Sequence, residues 1–346
     1  MKQGNGAKPT IRDVAKLAGV STQTVSNVIN NRPVTRPETR RRVEDAIREL
    51  GYERDALARA LRLRHTTALG FLMEDQTRLA LQDPAHAALL TGMVERSRHH
   101  QYTVTVYVSS PENIDRYVPA VLREQRIAGL FLSLQGPEGK HTELIERLAE
   151  RGVPTVLHEQ HPTVPGVCAV TSDNEGGGRA VARHLLELGH RRVAILTGTT
   201  PWPAGERRFD GFLAVTRAAG LEVPIWRSPA WNVDAARATM RAVLEGDRPT
   251  AVFAANDVLA AGVLRAAQDM NLEVPRDLSL AGFDDFDFAT MLHPSLTTVR
   301  VDFAEMGEWA AETLISLAEG GEPAPIVTLP TTLLVRDSTG APPAAG

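Results

Sequence analysis

Residues 10–62 read TIRDVAKLAGVSTQTVSNVINNRPVTRPETRRRVEDAIRELGYERDALARALR, and the first forty or so of them predict three short helices. Ile11, Val14, Ala15 and Ala18 recur at helical spacing and supply one apolar face of the first. Gly19 permits the left-handed backbone of a tight turn, with Val20 packing beneath it. Ser21 suits the N-cap of a second helix whose inward positions are Val25, Val28 and Ile29. Thr22, Gln23, Ser26 and Asn27 are then left on the opposite face, where short polar side chains can reach base edges in a major groove. Thr35 and Glu38 form a capping-box pattern opening a third helix, with Val43, Ile47 and Leu50 inward and Gly51 as its stop. Arg40, Arg41, Arg42 and Arg48 ride on that helix as candidate phosphate contacts.

A small three-helix bundle with a charged face, serving as a protein-binding module, accounts for the periodicity alone. Charge separates the readings. The chain carries −4 overall, but residues 1–65 hold +7 and the remaining residues −11. A basic head on an acidic body points to a polyanion met by the head only. With a turn glycine between two short helices and a polar outer face on the second, a helix-turn-helix is the stronger reading.

From Thr10 to Arg62 the run resembles, nearly residue by residue, the headpiece of the lactose-repressor (LacI/GalR) family of bacterial transcription regulators. The resemblance implies that Thr22, Gln23 and Asn27 occupy base-reading positions. Asn27 departs from the many relatives that carry Arg there; Arg favours guanine and Asn adenine, so no relative's operator sequence is carried over. The family counterpart of ERDALARALRLR, residues 53–64, is a hinge that becomes helical on DNA, pairs with its dimer mate and inserts a leucine into the minor groove. Leu61 takes that position here, with Ala58 one turn earlier where the two hinge helices approach. The alternative is an i,i+4 pair, Leu57 and Leu61, packed onto the core.

From Ala68 onward, short apolar runs alternate with amphipathic helices. The strands expected are 69–73, 104–108, 129–132, 155–157, 193–196, 252–255 and 278–282; the helices are 87–99, 144–151, 178–188, 206–219, 235–244 and 258–270. This βα repetition predicts parallel sheets sandwiched by helices, in two lobes given its length. Ligands of such sheets bind beyond the carboxyl ends of the strands. Asp75, Glu159, Asn256 and Asp284 stand there.

The body also resembles the family's effector core, a fold shared with type I periplasmic sugar-binding proteins, through VTSDNEGGGRAVARHLLELGHRRVAILTG (170–198), RFDGF (208–212), PTAVFAANDVLAAGVLRAAQDMNLEVPRDLSLAGFDDFD (249–287) and HPSLTTVR (293–300). The expected architecture is an N-terminal all-α helix-turn-helix headpiece followed by a two-lobed α/β effector core of periplasmic-binding-protein type I. Its boundaries are headpiece 1–52, hinge 53–66 and core 67–339, with an N-lobe of 67–170 and 299–326, a C-lobe of 171–298 and 327–339, and a disordered tail 340–346. By position, the resemblance implies effector contacts at Arg208, Asn256 and Asp284, with Glu159, Trp231 and Asp75 as further candidates. An Arg fork beside a carboxylate grips vicinal hydroxyls, and an indole covers an apolar sugar face. Each also has a plainer reading: Asp284 and Asp285 as turn caps, Arg208 in a surface ion pair, Trp231 in the core. Glu159 stands where Asp is common, Val301 where Gln is often found, and the loop Asp75–Asp83 is longer than usual. Aromatics are only 5% of the chain, which favours a sugar over a stacked purine as effector.

Other chemistries lack their residues. No G-x-G-x-x-G follows a strand, and Gly176–Gly178 has the wrong spacing for a dinucleotide loop, so close backbone packing explains it better. His158-Glu159-Gln160-His161 is one residue short of a helical zinc signature, and neither a nucleophile elbow nor a phosphate loop is present. No enzyme and no cofactor are expected. Cys168 alone excludes a disulfide framework and fits a reducing cytosol. Neither a secretory leader nor a membrane span is expected, which makes the protein cytoplasmic. The function expected is a dimeric, effector-controlled repressor on pseudo-palindromic double-stranded DNA. The alternative is a cytosolic sugar-binding protein whose basic head docks on another acidic partner.

Overall fold

The computed structural model describes residues 9–29, 36–50, 66–74, 83–124, 127–199, 202–246, 248–322, 324 and 326–343. The chain divides into two units, Met1–His65 and Thr66–Gly346.

The first unit contains α1 (Ile11–Ala18), α2 (Thr22–Ile29) and α3 (Pro37–Leu50). Val14, Ala15, Ala18, Val25, Val28, Val43 and Ala46 bury its small core, and Val20, Ile47 and Leu50 pack against it. Thr10 starts α1: its amide donates to Asp13 Oδ2 at 2.8 Å, a bond the sequence reading did not anticipate. Gly19 sits at φ 63°, where a Cβ is disfavoured, and closes the turn. The Ser21 cap is present, its Oγ accepting from Thr24 N at 3.1 Å. Thr35 and Gly51, expected to bound α3, lie outside the described residues.

The second unit opens with β1 (Ala68–Glu74), α4 (Pro84–His99), β2 (Thr103–Ser109), α5 (Ile114–Glu124), β3 (Gly129–Ser133), α6 (Thr142–Glu150), β4 (Thr155–His158) and β5 (Cys168–Ser172). It continues with α7 (Asn174–Glu187), β6 (Val193–Gly198), α8 (Pro203–Ala218), β7 (Ile225–Ser228), α9 (Val233–Glu245), β8 (Ala251–Ala254), α10 (Asp257–Asp269) and β9 (Ser279–Ala281). After a 3₁₀ turn (Asp287–Thr290) come β10 (Thr298–Arg300), α11 (Phe303–Ala318), β11 (Ile326–Leu329) and β12 (Thr332–Leu334). Two sheets result. The N-lobe sheet runs β11-β5-β4-β3-β1-β2 and the C-lobe sheet β7-β6-β8-β9, all pairs parallel. β10 and β12 pair antiparallel as a separate ribbon.

The chain crosses between lobes three times, at 172–174, 300–303 and 329–332. The lobe limits, expected at about 170 and 326, lie near the strand ends: β5 runs to 172, and β11 is bonded to β5 from Ile326 to Leu329. The tail is corrected. Gly340 accepts at its carbonyl from Ser279 Oγ at 3.1 Å, and its amide donates back to Ser279 Oγ at 3.0 Å, so the ordered chain continues past 339.

The helices begin where short polar residues can take up their free amides. Asp83, Asp173, Asn232, Asn256 and Asp302 each accept a backbone N–H from the first turn of α4, α7, α9, α10 and α11. Two helix pairs cross so closely that only glycine fits. A Cβ on Gly178 of α7 would lie 1.9 Å from Arg208 O of α8, and one on Gly211 of α8 would lie 2.0 Å from Glu175 O. The N-lobe repeats the device: a Cβ on Gly92 of α4 would lie 1.9 Å from Ala304 O, and one on Gly307 of α11 would lie 2.0 Å from Leu89 O. Close packing is thus what the Gly176–Gly178 run provides, as its spacing suggested.

Candidate functional site

On α2, Thr22 and Gln23 are exposed and Asn27 is half-buried, all opposite the buried Val25 and Val28. Gln23 Nε2 donates to Asn27 Oδ1 at 3.2 Å, which holds the two amides as one surface. The Ser26 side chain, like Ala58 and Leu61, lies outside the described residues. On α3, Arg40 approaches Glu44 at 3.9 Å and Arg48 pairs with Asp45 at 2.5 Å. Arg41 and Arg42 are exposed. Surface pairs of this kind hold side chains only weakly and leave them available to other anions.

In the second unit the candidates that fall among the described residues stand just past strand carboxyl ends or, for Arg208, on the helix after β6; Asp75 lies outside the described residues. Arg208 is fully buried. Its Nε donates to Asn174 Oδ1 at 2.8 Å and its Nη1 to Ala255 O at 2.7 Å. The guanidinium lies 3.8 Å from the Phe283 ring centroid and 4.6 Å from that of Trp202. Nη2 reaches to 2.8 Å from Asp284 Oδ1, a charge contact without hydrogen-bond alignment, so both atoms remain without a hydrogen-bond partner. A buried donor and a buried acceptor side by side are what two neighbouring hydroxyls require. The surface ion pair offered as the plain reading of Arg208 does not describe this geometry.

Asp284 holds a left-handed φ of 106°, and its backbone is fastened to the strand that leads into the crossing and to the crossing itself: its N–H donates to Val299 O at 2.8 Å and its carbonyl accepts from Val301 N at 3.4 Å. Asp285 accepts from Arg300 Nε at 2.8 Å and from Arg336 Nη2 at 2.5 Å, so it secures the same strand. Asp257, fully buried, accepts from Phe286 N at 2.9 Å and from Thr298 Oγ1 at 2.6 Å.

Glu159 is buried with a left-handed φ of 54°. Oε1 accepts from Ser172 N at 3.1 Å and Ser172 Oγ at 2.5 Å, and Oε2 from Asn174 Nδ2 at 2.8 Å. Both oxygens are engaged, and through Asn174 the carboxylate orients Arg208. Asn256 caps α10, its Oδ1 accepting from Leu259 N at 2.9 Å. Trp231 is half-buried with its ring edge against Trp202 at 5.7 Å. Trp202, which leads into α8, extends this indole wall to Arg208; its place four residues after β6 was the available signal for it. Asn174 carried no such signal, because only the folded crossing brings it to Arg208.

Burial sets the charge states. It pushes the Asp284 carboxyl up to about 7, against the pull of Arg208. Burial likewise raises Glu159, and raises Asp257 well above the carboxylate range with Asp284 adding to it. His158, at the end of β4, is driven down to about 3 by burial, then by His86 and Arg208, so its imidazole is neutral. The acids bind more protons folded than unfolded. Their stabilisation is full near pH 4 and lost as pH rises through about 7 for Asp284. Depressed histidines act oppositely, but only below their ordinary value near 6.5. Melting temperature is therefore expected to fall from pH 6.5 to 8, with a shallower slope in Asp284→Asn. Thermal melts across that range check it; a rising or flat wild-type profile contradicts it.

Comparison with known proteins agrees with this layout. Residues 10–55 match the family model "Bacterial regulatory proteins, lacI family", and residues 182–339 match "Periplasmic binding protein-like domain". The chain is 32% identical over 312 residues to the ribose operon repressor of Escherichia coli (strain K12), covering 88% of this chain and 92% of that protein. To the HTH-type transcriptional regulator CelR of Thermobifida fusca it is 33% identical over 340 residues, covering 96% and 98%. The chain belongs to the lacI family of bacterial regulatory proteins.

Among solved structures, a lac repressor dimer bound to operator and the anti-inducer ONPF aligns at TM-score 0.77 and 27% identity, covering 97% of this chain and all of that one. A complex of the regulator CelR with cellobiose aligns at TM-score 0.70 and 31% identity, covering 95% and 99%. The fold is therefore the lacI helix-turn-helix domain with a periplasmic-binding-like core. The protein is a DNA-binding transcription regulator and not an enzyme. No helix among the described residues is long and apolar enough to cross a membrane.

Proposed function

We propose that this lacI-family regulator is a cytoplasmic repressor that binds a pseudo-palindromic operator as a homodimer and is controlled by a small carbohydrate held between the lobes of its core. One observation carries the control: Asp284 contacts Arg208 through its side chain and, through its backbone, bonds Val299, on the strand that leads into a lobe crossing, and Val301, in the crossing itself. A ligand that engages the Asp284 carboxylate thereby acts on the segment that sets lobe orientation. Such an effector changes DNA binding only through different affinities for the two states. The printed names of relatives, a ribose operon repressor and a cellobiose complex, support a sugar.

Thr22, Gln23, Ser26 and Asn27 read bases in this account, and Arg40 contacts phosphate. Ala58 and Leu61 belong to the hinge, with Leu61 as the minor-groove wedge. Specific binding exceeds charge-driven binding by roughly 4 kcal/mol or more, and the hinge supplies part of it. In a titration of operator against random DNA, Leu61→Ala is expected to weaken operator binding by about tenfold or more while leaving random-DNA affinity in place. Unchanged operator affinity removes the wedge. A basic head docking on a protein instead predicts no steep linear fall of log K with log salt.

A further inference from the structure

Three buried side-chain atoms in the second unit lack a hydrogen-bond partner within one neighbourhood: Arg208 Nη2, Asp284 Oδ1 and His158 Nε2. The first two belong to the C-lobe grip. The third comes from the opposite lobe, at the carboxyl end of β4, on a residue 7% exposed. We propose that His158, backed by Ser133 and His86, is the N-lobe contact of the effector and selects an uncharged polyhydroxylated ligand over its phosphate ester. This deepens the reading of the cleft as a carbohydrate site and rests on it.

The His158 ring is placed by its surroundings. Nδ1 lies 3.3 Å from Ser133 Oγ, and that hydroxyl lies 3.0 Å from His86 Nε2. The rings of Phe131 and Phe303 stand edge-on to it at 6.0 and 6.3 Å. Nδ1 and two faces of the packing are thus accounted for, while Nε2 has no hydrogen-bond partner. An unpartnered buried polar atom is destabilising, and a bound water or ligand that completes it removes that cost. His158 directly precedes Glu159, whose carboxylate accepts from Asn174, and Asn174 accepts in turn from Arg208, which ties this end of β4 to the grip. A neutral imidazole offers one hydrogen bond and no charge, which suits a hydroxyl.

The charge inventory excludes a phosphoryl group at the same place. Arg208 has committed Nε and Nη1 to Asn174 and Ala255, so Nη2 is the one guanidinium nitrogen left without a hydrogen bond, and both edges of the fork that phosphate takes are already engaged on one side. Nη2 lies against the Asp284 carboxyl, a buried acceptor that a phosphate dianion at the same place would have to meet oxygen to oxygen.

Calorimetric titration of the full chain with D-ribose, cellobiose and ribose 5-phosphate tests this, alongside melts of the ligand-free protein. A neutral sugar is expected to bind, with ribose 5-phosphate at least tenfold weaker than ribose. His158→Leu is expected to lose about tenfold to a hundredfold in sugar affinity, and His158→Gln to recover part of it. The ligand-free melting temperature of His158→Leu should not fall, since leucine fills the space without an orphaned nitrogen. Tighter binding of the phosphate ester, unchanged sugar affinity in His158→Leu, or a lowered melting temperature overturns the proposal. If Arg208→Met loses the sugar and His158→Leu keeps it, only the histidine assignment fails. If neither sugar binds the wild type, the carbohydrate reading fails with it.

Discussion

Arg208→Met abolishes the response of DNA binding to effector and lowers the melting temperature of the core. One side chain holds Asn174 Oδ1, Ala255 O and the Asp284 carboxylate, all from a fully buried position. Truncating one partner of a buried charge pair strands the other, and such changes destabilise by about 3–5 kcal/mol. The true figure falls toward the low end here, because Asp284, already raised to about 7, can take up a proton when Arg208 is gone. Effector affinity has no such relief. Losing a charged donor, and the ordered carboxylate beside it, lowers affinity by about a hundredfold or more. Arg208→Lys keeps the charge but cannot span three partners set in different directions, and it behaves like the methionine variant. Sugar titrations and thermal melts of both variants check this; a wild-type affinity in either contradicts the assignment of the grip.

Gly178→Val separates two helices that cross almost backbone to backbone. The new Cβ would lie 1.9 Å from Arg208 O, a backbone atom that cannot swing aside, and valine adds two methyls beyond it. Overpacking usually destabilises by about 1–3 kcal/mol, and a backbone obstruction belongs at or beyond the top of that range. The displaced helix is the one that carries Arg208, so effector affinity is expected to fall along with stability. Gly220→Ala is the comparison. Gly220 has φ 73° and open space where a Cβ would lie, so only backbone strain of about 1 kcal/mol is expected and no change in effector binding. Equal effects of the two substitutions on stability contradict the packing argument.

The headpiece was legible because its signals are local. Gly19, the Ser21 cap and the apolar positions from Val14 to Val43 each act within a few residues, and the folded unit uses them as read. The βα alternation of the core was legible for the same reason, through strands such as Gly129–Ser133 that are buried from end to end. What escaped were β5, β7, β10, β11 and β12, together with α5 and α11. β7 and β11 are only partly buried, so no apolar run marks them. The lobe crossings could not be placed either, since β11 belongs to the N-lobe only through its pairing with β5.

At the cleft, Asp284 followed from its position past a strand end and Arg208 from the family resemblance of RFDGF, and the structure brings them to 2.8 Å. Glu159 was a further candidate for a ligand contact, and its oxygens accept from Ser172 and Asn174. That role depends on a crossing segment thirteen to fifteen residues away and leaves no periodic trace. His158 stood beside Glu159 in the HEQH run and was read there only for what it failed to be, a zinc ligand. Its orphaned Nε2 appears only once β4 is packed beside Ser133, Phe131 and Phe303.

The measurement that tests the account most directly is capture of sheared genomic DNA by the purified full chain at near-physiological salt, with and without D-ribose or cellobiose. An enriched motif with two-fold symmetry, whose recovery changes when the cognate sugar is added, is the predicted result. Capture without any symmetric motif, whether or not a sugar is present, would contradict a dimeric, sugar-controlled operator-binding regulator.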